Sequence, residues 1–126
     1  MYLLTAIFNK SCLDDVLIDL DDQGIEGVTV SNVTGRGGLE NTRLDKNVRI
    51  DIVLSNDTFK EMAKEAIRSN TRDLATGSGK MWVTPVLEVE RIRTGETNES
   101  ALAHPNSTKK KSHIDNYFNA IDTPAS

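Results

Sequence analysis

Hydrophobic and polar residues along this chain fall into segments of two kinds, some with helical spacing and some with strand alternation. Tyr2 to Phe8 is an apolar run broken only by Thr5. Seven residues do not by themselves separate strand from helix, but the run reads as a buried strand. Leu13, Val16, Leu17 and Leu20 then recur at i, i+3, i+4 and i+7, one apolar stripe of a helix. Ser11, three residues ahead of Asp14, is the expected N-cap, and Asp14 and Asp15 suit the helix's positive end. Gly24 is placed to end the helix in a left-handed turn, with Ile25 packing back.

Val28 to Val33 is β-branched and half alternating, a second strand. Val48, Ile50, Ile52 and Leu54 alternate with Arg49, Asp51 and Val53, which predicts a third strand with one wetter face. Ser55, Asn56 and Asp57 are capping candidates for a second helix, whose stripe is Phe59, Met62, Ala63, Ala66 and Ile67. A glycine-bracketed turn leads into a strand over Lys80–Val86, and a further short strand is expected to carry Arg91 and Arg93. The order is β-α-β-β-α-β, the ferredoxin-like split arrangement of the α+β class.

Two stretches lack periodicity. Residues 35–47 (GRGGLENTRLDKN) are polar and glycine-rich, hence a loop. After Leu102 the composition shifts: Pro105-Asn106-Ser107 and Lys109 to Lys111 read as an exposed linker. Ser112 and Asp115 then offer a cap for a short stripe of Ile114, Tyr117, Phe118 and Ile121, stopped by Thr123-Pro124. So short a helix is marginal unless it packs on something, either the protein itself or a target. The chain divides into a domain over residues 1–102 and an extension over 103–126.

Composition sharpens this picture. At 126 residues the chain builds one domain around one core, and 37% apolar residues make that core modest, of a size often completed by oligomerisation. A single cysteine, Cys12, excludes an internal disulfide and fits a reducing compartment; a buried, inert thiol is the expected state. The run at Tyr2–Phe8 is too short to span a membrane and lacks a basic leader, so the cytoplasm is the default location. Net charge is −4 without a long basic face, which argues against non-specific nucleic-acid binding. Any polyanion must therefore be held locally.

The candidate chemistry lies between Asp73 and Glu96. Gly77-Ser78-Gly79-Lys80 brackets a turn where backbone amides can approach an anion and Lys80 adds a point charge. It is not a Walker A loop, which needs Ser or Thr after the lysine and a helix following; Met81-Trp82-Val83 is strand-like. Taken alone, the turn reads as a plain connection. Arg91 and Arg93, two apart on a strand, would present two guanidinium groups to one side, with Glu88 and Glu90 on the other. The plain alternative is an exposed, salt-bridged strand. Together the two features describe a polyphosphate site. His104 and His113 stand at no metal-ligand spacing, and no metal site is expected.

The residues also carry a resemblance. TGSGKMWVTPV followed by RIRTGE resembles the B-loop and C-loop signature of the PII signalling proteins, which that family writes close to TGKIGDGKIFV and IRIRTGE. Leu13-Asp14-Asp15-Val16, Gly24-Ile25, Gly27, Thr29-Val30 and Gly35 fall in family order, and the likeness covers residues 1–102. It implies a homotrimer that senses energy state by binding ATP and ADP, with AMP a further candidate, in clefts between subunits. It implies nucleotide contacts at Ile7, Thr29, Gly35, Gly37, Gly77, Ser78, Gly79, Lys80, Arg91 and Arg93. Ser78 replaces the family aspartate. The regulated partner, by the same resemblance, is a transporter or a metabolic enzyme.

Departures from the family pattern cluster in residues 35–47, the place of the T-loop. The loop is shorter than usual and holds no tyrosine for uridylylation. Leu39 stands where the family has the glutamine that, with ATP phosphates, holds magnesium for 2-oxoglutarate, and a leucine does not ligate a hard cation. Lys46 is the candidate for the lysine that follows the loop. The expectation is adenine nucleotide binding with the magnesium–2-oxoglutarate site lost. Two rivals share the strand order. A nucleotide-processing enzyme needs a general base or metal-holding carboxylates near the cleft, and none is placed convincingly. An RNA-recognition module needs stacking aromatics on its third strand, and Val48–Leu54 has none.

Overall fold

The computed structural model describes residues 1–35, 46–72 and 79–102. In chain order the elements are β1 (Tyr2–Asn9), α1 (Leu13–Asp22), β2 (Val28–Val33), β3 (Asn47–Leu54), α2 (Asp57–Thr71), β4 (Lys80–Pro85) and a single turn of helix, α3 (Asn98–Ala101). The four strands form one sheet in the order β2-β3-β1-β4, every neighbouring pair antiparallel. This is the expected ferredoxin-like βαββαβ arrangement.

Strand alternation decides which face is buried. Leu4, Ala6 and Phe8 of β1 lie beside Ile52, Ile50 and Val48 of β3, and all six are at most 2% exposed. Against them pack Val16 and Leu20 of α1 and Ala63, Ala66 and Ile67 of α2, the two predicted helical stripes. Each large side chain buried this way contributes about 1.5–3 kcal/mol. Cys12 joins the same core as a buried free thiol. Among the described residues, neither α1 nor α2 packs on the opposite face of the sheet. There the Thr5 hydroxyl donates to Asp51 Oδ1 at 2.7 Å, and Arg49 Nε lies 3.0 Å from Asp51 Oδ2.

The helix ends follow their local chemistry, with one correction. Asn56 caps α2, its side chain accepting from the Phe59 amide at 2.9 Å. Lys60 Nζ sits 3.1 Å from Asp57 and over the Tyr2 ring at 4.6 Å, joining the first turn of α2 to the start of β1. At the end of α1, Gly24 adopts φ +84° and the Ile25 amide returns to the Leu20 carbonyl at 2.9 Å, as the sequence predicts. Ser11 does not cap α1. One tight helical turn, Lys10–Cys12, precedes the helix, and Asn9 caps it by accepting from the Ser11 amide. The cap lies two residues earlier than expected because that extra turn absorbs the first unpaired amides.

The second correction concerns the arginine pair, which is not on a strand. β4 pairs with β1 as far as Pro85 opposite Tyr2, and the Val86 amide then donates to the Met1 carbonyl. After Val86 the chain leaves the sheet. It closes on itself as a small hairpin. Glu90 bridges Thr97, the Arg91 amide donates to Glu96 O, and the Gly95 amide donates to Arg91 O, with Gly95 at φ +78°. Strand alternation therefore does not govern Arg91 and Arg93. No described helix is long and apolar enough to cross a membrane.

Candidate functional site

The site begins where β4 starts. Gly79 has φ +93°, and a Cβ there would lie 2.0 Å from the Ile7 carbonyl oxygen and 2.9 Å from Phe8 Cα. Only glycine lets the turn press so closely on the end of β1. Lys80 follows and pairs in register with Ile7. Beside them opens a cavity of about 250 Å³, lined by Ile7, Phe8, Ile67, Met81 and Thr71, by Gly79 and Lys80, and by Arg68 and Arg72. Its lining combines apolar side chains with three cationic ones.

Other predicted residues gather at the same end of the sheet. Lys46 precedes β3, whose first residue lies opposite Asn9, and its carbonyl accepts from the Lys10 amide at 2.7 Å. Gly35, two residues past β2, is exposed there as well. No atom lies within 4 Å of where a Cβ at Gly35 would stand, so nothing in the described protomer demands glycine at that position. Gly37, Gly77 and Ser78 fall outside the described residues.

Thr29 and the arginines lie elsewhere. Thr29 is exposed on β2, opposite Asp51. With the order β2-β3-β1-β4, three strand spacings separate it from the Lys80 edge, about 14 Å. Arg91 and Arg93 follow the far end of β4, beyond the Met1 side, whereas Gly79 and Lys80 stand at its beginning. Arg91 is also engaged: its guanidinium donates to the Ala101 carbonyl at 2.9 Å and lies 3.4 Å from Glu96. That acidic partner is Glu96, not Glu88 or Glu90. Within one protomer, then, Ile7, Gly79 and Lys80 converge, and Thr29 and the arginine hairpin do not join them.

Within the hairpin the Asn98 amide donates to the Val89 carbonyl and the Val89 amide to Asn98 Oδ1, and Leu87 is 94% and Ile92 95% exposed. Trp82, on the same face as Thr5, is 39% exposed. On that face burial pushes the Asp51 carboxyl up, but hydrogen bonds from Arg49 and Thr5 and the Arg49 charge outweigh it and hold the carboxyl below its usual value.

Comparison with known proteins matches this chain to one family. Residues 1–96 fit the family model "Nitrogen regulatory protein P-II". This chain belongs to the P-II family. Among its P-II relatives, "Nitrogen regulatory protein P-II 1" of Methanothermobacter thermautotrophicus is 38% identical over 110 residues, covering 79% of this chain and 95% of the relative. "Nitrogen regulatory protein P-II" of Cereibacter sphaeroides is 36% identical over 110 residues, with 79% and 97% covered. The P-II protein of Microchaete diplosiphon is 34% identical over 108 residues, with 77% and 96% covered. P-II proteins are signal-transduction regulators, and the resemblance noted in the sequence is thereby a family membership.

Sequence reasoning did not single out Arg68, Thr71 and Arg72 as cavity residues. A signal was present. Arg68 and Arg72 stand four apart at the end of α2, on neighbouring turns and just ahead of the glycine segment.

Proposed function

We propose that this protein is a cytoplasmic homotrimeric energy sensor, binding ATP and ADP at the boundaries between protomers and passing their ratio to a partner transporter or metabolic enzyme. One observation carries the reading. The glycine turn with Lys80 and the arginine hairpin sit at opposite ends of β4, and the hairpin exposes Leu87 and Ile92 almost completely. A neighbouring copy supplies cover for those side chains and brings one protomer's hairpin, with the exposed Thr29, to another's Gly79–Lys80 turn. Both halves of the polyphosphate site then come from different chains. Arg91 must in that case exchange or share its Glu96 contact when a phosphate arrives, a modest cost for a partly exposed pair.

The mechanism is a population shift. ATP and ADP differ by one phosphate, and that phosphate's contacts with Lys80, Arg91 or Arg93 bias an external segment between two arrangements. The partner reads the arrangement. Leu39 in place of a magnesium-holding glutamine argues that 2-oxoglutarate is not co-bound.

The test is calorimetric titration of the purified chain with ATP, ADP and AMP, each with and without magnesium and 2-oxoglutarate, alongside its mass by light scattering. A trimer binding ATP and ADP without help from 2-oxoglutarate is expected. No affinity for any adenosine phosphate would overturn the sensor reading. Binding of 2-oxoglutarate only with magnesium and ATP would overturn the loss of that site.

A further inference from the structure

Between Val89 and Ala101 the chain folds around one guanidinium. Arg91 is pinned through its backbone: its amide donates to the Glu96 carbonyl at 2.8 Å, and its carbonyl accepts from the Gly95 amide at 2.8 Å. α3 is tied back by Asn98, whose amide donates to the Val89 carbonyl at 2.7 Å while its Oδ1 accepts from the Val89 amide at 3.2 Å. Asn98 holds φ +53°, a left-handed conformation that asparagine tolerates better than most residues. These bonds set the hairpin and α3 against each other, and the Arg91 side chain reaches from one to the other.

Two acceptors of different character meet that side chain. Arg91 Nη2 donates to the Ala101 carbonyl at 2.9 Å, a neutral contact of ordinary length. Arg91 Nη1 lies 3.4 Å from Glu96 Oε1, well beyond the roughly 2.7–2.9 Å of a tight charge-assisted bond. The same oxygen accepts from the Thr94 hydroxyl at 3.2 Å, so it serves two donors. The two side chains are 30% and 46% exposed, and water screens them. One hold is firm and directional, the other loose and electrostatic. Guanidinium carries five N–H donors, so the Ala101 contact can persist while the side facing Glu96 changes partner.

We propose that Glu96 is a specificity-determining residue of the nucleotide site: its carboxylate is an internal anion on Arg91 that a ligand phosphate must displace. This rests on the nucleotide reading above and adds a regulation of the same site, built from the hairpin's own residues. A terminal phosphate brings about two charges and three acceptor oxygens, against one charge and two oxygens for a carboxylate. Phosphate therefore gains in the exchange, and a carboxylate ligand does not. A nucleotide too short to reach Arg91 leaves the pair intact. Glu96 thus lowers the affinity of those ligands that use Arg91 and leaves the others unchanged.

The experiment titrates ATP, ADP and AMP into the full chain, into Glu96→Gln, into Arg91→Gln and into the double variant, with thermal melting of each without ligand. Glu96→Gln should bind ATP about twofold to fivefold more tightly, the scale of a half-exposed ion pair, and AMP as the parent does. Arg91→Gln should weaken ATP, and adding Glu96→Gln to it should change nothing further. ATP affinity unchanged or reduced in Glu96→Gln would overturn the proposal and leave the nucleotide reading standing. So would an equal gain for AMP, or the same gain in the Arg91→Gln background, since either reports a general charge effect. A parent chain that binds no adenosine phosphate would overturn both. If Glu96→Gln melts well below the parent, Glu96→Asp decides: its shorter arm keeps the charge but draws it back from Arg91, and ATP affinity that does not rise counts against the proposal.

Discussion

Replacing glycine by alanine at three positions separates the backbone demands of this fold. At Gly79 the added Cβ would meet the Ile7 carbonyl at 2.0 Å, and ordinary contact begins at 3.4 Å, so β1 and the start of β4 must part by about 1.4 Å. Forcing φ near +93° on alanine costs about 1–3 kcal/mol. Relieving the clash costs about 1–3 kcal/mol more, because both partners are backbone and cannot rotate away. The sum is about 2–6 kcal/mol, which at about 4 °C per kcal/mol lowers the melting temperature by about 8–24 °C. Gly95 has φ +78° but open space around it, so its alanine variant bears the strain alone, about 1–3 kcal/mol. Gly27 has neither a left-handed φ nor a close neighbour, and alanine there should be neutral or stabilise by about 0.4–1 kcal/mol. Thermal and urea melts of the three variants read the order directly. If Gly79→Ala melts no lower than Gly95→Ala, the close approach to Ile7 is not a constraint on the fold, and the argument for the glycine turn fails with it.

Asn56→Ala removes the side-chain cap of α2 and should cost about 1 kcal/mol by denaturant titration, while Ser11→Ala, no cap in this structure, should cost less. Asp51 has a folded-state pKa depressed below its ordinary value, so its contribution is present above about pH 4 and is lost as pH falls through the folded value. Asp51→Asn should therefore flatten stability against pH in that acid window and leave the slope near pH 7 unchanged; an unaltered acid limb would show that Arg49 and Thr5 do not hold the carboxylate. Leu87→Ser with Ile92→Ser should leave the circular dichroism spectrum unchanged and make the assembly dissociate on dilution, since both side chains are almost fully exposed in one protomer. Sedimentation showing the parent's mass at every concentration would place neither side chain between copies.

The periodic elements were legible because their burial follows local geometry. Val48 to Leu54 alternates along β3, and the stripes of α1 and α2 face the core as their spacing requires. Gly24 ends α1 for a reason visible at one residue, its positive φ. The cap at Asn9 was missed because Ser11 and Asp14 mimic a capping pair, and only the extra helical turn moves the start. The arginine pair was misassigned to a strand for a different reason. Residue spacing predicts a strand's faces only where the segment pairs in a sheet, and the pairing of β4 with β1 ends at Pro85.

By itself the sequence determined the element order, the family and the residue types that suit a polyphosphate. These depend on neighbours in the chain, on periodicity and on motif. The tertiary structure alone decided which of those residues meet. Sheet order sets Thr29 and Lys80 on opposite edges, the length of β4 and the hairpin after it separate Arg91 and Arg93 from Gly79, and the packing of α2 against β1 brings Arg68 and Arg72 beside Lys80. Proximity across strands and helices is fixed by topology and register, which no local pattern encodes.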